Sequence, residues 1–155
     1  MVRVSCQGGP VGIRLEEQDW PRLGHLRPKD LLRDLLPPGA HLRWNQDRRA
    51  WEVARGQLLP LVRDLADWFG VVTVDEVRTV SGDTCDVRCR EAEGDDCSCR
   101  CLGLYHGEGL PRVGWVLVGE TTLQERPTRT RVRWQVRRED LASGRLPYRR
   151  GGPRR

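Results

Sequence analysis

The chain has 155 residues, of which 37% are hydrophobic and 32% charged, and a formal net charge of +5. That length suits one ordinary domain or two small modules, and no apolar run approaches the roughly 18 residues a membrane-spanning helix needs. The opening Met1-Val2-Arg3-Val4-Ser5 lacks the apolar stretch of a signal peptide, which predicts a cytoplasmic protein in which clustered cysteines hold metal rather than form disulfides.

Along the chain, Val11–Leu15 reads as a short strand, and Pro28, Lys29 and Asp30 open a short helix, Leu31–Leu36, that Pro37-Pro38-Gly39 ends. A hairpin follows: His41–Trp44 and Arg49–Val53 flank the polar turn Asn45-Gln46-Asp47-Arg48. Leu58, Leu61, Val62, Leu65 and Trp68 recur at helical spacing between Gly56 and Phe69, with Gly70 as the stop. Val71–Val74 reads as a buried strand that Glu76–Val80 extends.

The stretch Gly39-Ala40-His41-Leu42-Arg43-Trp44-Asn45-Gln46-Asp47-Arg48-Arg49-Ala50-Trp51-Glu52-Val53, followed by an amphipathic helix, resembles a HARP (HepA-related protein) domain over residues 10–74. Such modules accompany annealing helicases and bind DNA, so the resemblance implies DNA contacts through Arg43, Trp44, Arg48, Arg49 and Trp51. The chain has no Gly-x-x-x-x-Gly-Lys-Ser/Thr loop, so the resemblance extends to a binding module and not to a motor. Trp44 and Trp51 also fit a cross-strand aromatic pair that closes the hairpin.

Five of the six cysteines fall in Cys85-x3-Cys89-x7-Cys97-x-Cys99-x-Cys101, with His106 four residues on. Thiolates and imidazole are zinc ligands, and thiolates also hold iron–sulfur centres. A helix over Cys85–Glu93 puts Cys85 and Cys89 on one face. An extended Cys97–Cys101 points three sulfurs one way, and Cys99 and Cys101 then share one ion only if the backbone turns. Zinc needs four ligands, and the preferred set is Cys85, Cys89, Cys97 and one or both of Cys99 and Cys101, with His106 as a further candidate. The surplus also admits an iron–sulfur cluster or two metals. A cysteine nucleophile, or a catalytic zinc with Glu108 as base, is disfavoured because the cysteines are crowded and the nearby histidine is itself a ligand candidate. Nine acids against four Arg between Asp75 and Glu108 suit a bound cation and oppose a nucleic-acid face there. The cysteine pattern also resembles small uncharacterised actinobacterial and phage proteins, which implies no function. Cys6 stands alone and reads as a buried or free thiol.

Of the 27 basic residues only Lys29 is a lysine. A GC-rich genome accounts for the bias, but Arg also binds phosphate through a planar fork and stacks on bases. Residues 126–155 carry eleven Arg against Glu139 and Asp140, which leaves the preceding 125 residues net acidic. Arg112–Gly119 and Thr128–Arg138 read as strands joined by Glu120–Pro127. In the second, Thr128, Thr130, Val132, Trp134 and Val136 alternate with Arg129, Arg131, Arg133, Gln135 and Arg137, an arginine stripe with the step of a phosphate backbone. The Gly- and Pro-rich basic tail beyond, residues 143–155, is expected to be disordered alone.

These features predict an α+β protein: a strand–helix–hairpin–helix–strand module over 1–80, then a metal-stapled module over 81–142 that carries an antiparallel basic hairpin. The function expected is that of a non-enzymatic, zinc-containing accessory protein that binds nucleic acid, DNA rather than RNA, within a larger complex. The alternatives are a phage or mobile-element regulator that docks on an acidic protein surface, and a small metalloenzyme or iron–sulfur redox protein.

Overall fold

Alternating apolar residues build a sheet that begins with the first residues of the chain. The computed structural model describes residues 1–81, 85, 87–93, 98–125 and 128–150. Strand β1 (Val2–Cys6) buries Val2, Val4 and Cys6, and β2 (Val11–Arg14) buries Val11 and Ile13. Helix α1 (Pro28–Leu35) starts on its proline and buries Leu31 and Leu32. The hairpin β3 (Arg43–Asn45) and β4 (Ala50–Val53) turns through Arg49 at φ 48°. Helix α2 (Leu58–Phe69) ends on Gly70 at φ 84°, a left-handed position that glycine adopts freely. It buries Leu58, Leu61, Val62, Leu65, Ala66 and Phe69, whereas Trp68, expected on that face, is 41% exposed.

The remaining elements are β5 (Val71–Val80), α3 (Val87–Arg90), β6 (Trp115–Glu125), β7 (Thr128–Arg137), α4 (Arg138–Ala142) and β8 (Tyr148–Arg149). The fold is α+β. Among the described residues all strands join one mixed sheet in the order β3-β4-β2-β1-β5-β7-β6-β8. β1 runs parallel to β5, and β6 parallel to β8, while the other pairs are antiparallel. The end of β5 at Val80 coincides with the boundary expected between two modules. The sheet nevertheless crosses it, because β5 pairs with β7 from Val71↔Arg137 to Val80↔Thr128.

One face of the sheet packs under α1 and α2. Val4, Ile13, Val72, Val74, Val132, Trp134 and Val136 join Leu31, Leu61 and Leu65 in its core. The other face has no helix over it among the described residues, and its strand residues alternate polar and charged with small ones, including Arg3, Ser5, Gly12, Arg14, Arg131 and Arg133. Part of the tail expected to be disordered is instead edge strand β8: Arg150 N–H donates to the Leu117 carbonyl at 2.9 Å, and Arg149 pairs with Glu120 at 2.8 Å. Residues 151–155 lie outside the described residues. Among those described, no helix is long and apolar enough to cross a membrane.

Candidate metal centre and basic sheet face

The segment between β5 and β6 folds back behind the sheet. Its neck is tied where Ser81 N–H donates to the Ser98 carbonyl at 2.7 Å, with the Ser81 hydroxyl on the same oxygen at 3.1 Å. Short α3 carries Cys89, one turn after Cys85. The chain at Cys99–Gly103 is a series of turns in place of the expected extended strand: Leu102 N–H bonds Cys99 O, and Leu104 N–H bonds Cys101 O. Two causes favour the turn. Leu102 and Leu104 reach the core, and Gly103 takes φ 94°, where a Cβ would press on the Arg112 side chain at 3.0 Å.

That turn brings Cys99 and Cys101 to the same point. The sulfurs of Cys85, Cys89, Cys99 and Cys101 all lie within 4.8 Å of one another. Cys89 Sγ stands 3.5 Å from Cys99 Sγ and 3.8 Å from Cys101 Sγ, while Cys99 and Cys101 are 2.9 Å apart. None of these four, nor Cys6, forms a disulfide. Four thiolates at about 2.3 Å from one ion define a tetrahedron with edges of about 3.8 Å, so this donor set fits a single metal ion. Both members of the Cys99/Cys101 alternative therefore belong to the set, and Cys97 lies outside the described residues.

Burial pushes the Cys85 and Cys89 thiols up, and for Cys89 the hydrogen bonds with its sulfur neighbours add to that. His106 stands beside this set. Buried to 5% exposure, it puts Nδ1 3.5 Å from Cys89 Sγ, and its Nε2 finds no hydrogen-bond partner among the described residues. Gly103 N–H also points at Cys101 Sγ, at 3.4 Å. Donors of this kind orient metal-bound thiolates from outside the coordination sphere. The loop that carries His106 packs tightly against the chain just past α3: a Cβ at Gly107 would meet the Ala92 carbonyl at 2.8 Å.

A buried charge cluster, invisible in the sequence, locks this segment to the sheet. Arg112 was expected to begin a strand, yet it is 1% exposed and precedes β6. Its guanidinium lies 4.4 Å from the Trp115 ring and 4.9 Å from Trp134, and it meets Glu76 at 3.0 and 3.1 Å. Glu76, also 1% exposed, further accepts from Trp134 Nε1 at 3.0 Å and from Arg78 at 3.4 Å. Burial opposes its charge, but Arg112 and Arg78 outweigh that and hold its carboxyl at about 2.

The arginine alternation on β7 is as expected: Thr130, Val132, Trp134 and Val136 are buried, and Arg129, Arg131 and Arg133 are exposed. The stripe is not free of acid, however. Asp75 of β5 lies opposite Arg133 and receives its fork at 2.7 and 3.0 Å. Arg137 bonds Gln135 at 3.1 Å and meets Glu139 at 3.6 Å. Neither Arg129 nor Arg131 has an ion pair among the described residues.

Arg131 and Arg133 form one wall of a groove of about 400 Å³ across the uncovered face. Arg3, Arg14 and Arg48 form the other, over a floor that includes Ser5 and Ala50. Gly12 lies against that floor, 2.9 Å from Ser5 Oγ for any added Cβ. Three strand spacings and a two-residue offset in register set Arg14 and Arg133 about 16 Å apart.

At the sheet's edge, Arg43 and Arg48 both meet Glu52, at 2.8 and 3.6 Å. Trp44 and Trp51 form the cross-strand pair, edge to face at 5.1 Å, and they stand on the opposite side from Arg43. The hairpin thus divides the residues expected to act together, with Arg48 on the groove and Arg49 beside the tryptophans. Cys6 is fully buried, with the Arg55 guanidinium 2.7 Å from its sulfur. Compared with protein-family models, with curated proteins and with solved structures, the chain matches none.

Proposed function

We propose that this chain is a non-enzymatic nucleic-acid-binding protein, stapled by one structural zinc ion, that holds the phosphate backbone of DNA on its uncovered sheet face. The observation that carries the reading is the arginine-walled groove, whose small floor admits a backbone and whose walls stand roughly two phosphate steps apart. The resemblance of residues 10–74 to HARP domains supports DNA as the polyanion and a larger complex as the setting. Zinc is favoured over an iron–sulfur cluster because four sulfurs within 4.8 Å of one another are spaced to hold a single ion, whereas a cluster spreads its thiolates around several atoms. Four protein ligands leave no open position for substrate, so the ion is read as structural.

The test is duplex binding followed by fluorescence anisotropy across a salt series. Each phosphate contact contributes about −0.9 to the slope of log affinity on log salt. Replacing Arg129, Arg131, Arg133 and Arg137 with Gln should reduce that slope by about 2 to 3, less than four full contacts because Arg133 and Arg137 already have acidic neighbours. An unchanged slope and affinity would remove this face from the reading. Binding to an acidic protein but not to DNA would favour the protein-docking alternative.

A further inference from the structure

On the helix side of the same edge lies a second concavity, of about 500 Å³, between the β3–β4 hairpin and the start of α1. Its walls are aromatic: Trp44 and Trp51 from the hairpin face Trp20 from the 3-10 segment Glu17–Leu23. Trp20 is 53% exposed and Trp44 44% exposed. The fold has therefore left large indole surfaces in water although it buries Trp115 and Trp134 almost completely. Exposed aromatic surface gathered around a cavity of this size is the usual composition of a ligand site.

The rim adds charge. Arg14, Arg27, Lys29 and Arg49 line the cleft, and among the described residues no acidic one does. The chain's one lysine places its Nζ 5.9 Å from the centre of the Trp51 ring. The occupant these walls suit has a flat apolar body and an anionic attachment. Arg14 lines both this cleft and the sheet-face groove, and its Nη2 donates to the Arg48 carbonyl at 2.6 Å. The two sites are thus continuous around the end of β2.

We infer that the Trp20–Trp44–Trp51 cleft takes one unpaired base of single-stranded nucleic acid, stacked on indole, with its phosphates held by Arg27, Lys29 and Arg49. The inference rests on the nucleic-acid reading above and adds to it a preference for unpaired bases. A base within a duplex is stacked on its neighbours and is not available to the cleft. An indole stack and its flanking cations therefore strengthen single-strand binding selectively.

The test uses the full-length, metal-loaded chain with a short oligothymidine strand, a blunt duplex of the same length, and thymidine monophosphate. Trp20→Ala, and separately Arg27→Gln with Lys29→Gln, should each weaken single-strand binding by about tenfold and leave duplex binding nearly unchanged. Trp20→Phe should restore much of the loss, and thymidine monophosphate should quench indole fluorescence in the wild type more than in Trp20→Ala. Trp20 is half exposed, so these variants should keep the native circular dichroism.

The inference is overturned if single-strand affinity is unaffected by both variants. It is likewise overturned if a medium-chain fatty acid, and not the nucleotide, produces the quenching. Should the cleft variants be silent while the β7 arginine replacements still weaken duplex binding and lower its salt slope, the base site falls and the sheet-face reading stands. If the wild type binds neither strand nor duplex, both fall.

Discussion

Replacing Glu76 with Gln tests the buried charge cluster that joins the cysteine segment to the sheet. The carboxylate is 1% exposed and is shared by Arg112, Arg78 and the Trp134 indole. Its carboxyl sits at about 2 against the ordinary 4.5, a difference equivalent to about 3 kcal/mol of stability at neutral pH. Glutamine has the same shape and still offers an oxygen to Trp134, but it removes the negative charge that two buried guanidinium groups share. Losing one partner of a buried pair typically costs about 3–5 kcal/mol, so both routes agree on an expected loss of about 3 kcal/mol.

Equilibrium urea unfolding of the zinc-loaded proteins at pH 7 measures the difference directly. The pH dependence supplies the sign. Because the folded-state value is depressed, the contribution is fully present above about pH 4.5 and is lost as pH falls through about 2. The gap between wild type and Glu76→Gln should therefore narrow as pH is lowered from 5. Acid also releases a thiolate-bound metal, but it does so in both proteins, and their difference isolates Glu76. A gap under about 1 kcal/mol at pH 7, well short of the typical cost of breaking a buried pair, or one constant down to the lowest pH at which both stay folded, would refute the reasoning.

Metal analysis of the purified protein should give one zinc per chain. Cys89→Ser should lose it, Cys6→Ser should retain it, and a brown colour would identify iron instead. His106→Ala should keep the metal but weaken its affinity by about 10- to 100-fold, as loss of an outer-sphere donor does; complete loss of zinc would make His106 a direct ligand. Trp134→Phe should destabilise the fold by about 2 kcal/mol in urea unfolding, the worth of a hydrogen bond to a buried charge. On the open face, Arg131→Gln should weaken DNA binding more than Arg133→Gln. Asp75→Asn should strengthen DNA binding by releasing the Arg133 fork, and equal effects of the two arginines would deny Asp75 that role.

Local periodicity made much of this molecule legible. The 3.6-residue spacing located α2, and strict alternation assigned each residue of β7 to its face. Cysteine spacing gathered four of the ligands the fold brings together. What escaped was non-local. β1, which pairs with both β2 and β5, has only five residues, and its partner β5 lies far along the chain. Pairing of β5 with β7 depends on contacts 48 to 66 residues apart, and the same pairing delivers Asp75 to Arg133. Arg112 was misplaced because an arginine is almost never fully buried without a partner, and its partner Glu76 lies 36 residues away. Trp20, in a polar stretch, gave no sign that it would face Trp44 and Trp51.

Asp75 and Glu76 are neighbours in sequence, yet they serve opposite sides of the same sheet. One answers the solvent-facing arginines and the other the guanidinium groups sealed beneath. Arg129, Arg131 and Arg133 stand exposed on the front, while the thiols gather behind. A body charged in this way turns in the field of an approaching polyanion, so that productive orientation precedes contact and the encounter rate falls with salt. It also insulates the two ends from each other. Gain or loss of the ion changes the charge of the rear, separated from the front by a packed layer and by a screening length of about 8 Å at physiological salt. While the fold holds, metal occupancy should then leave the rate of first encounter with nucleic acid almost untouched.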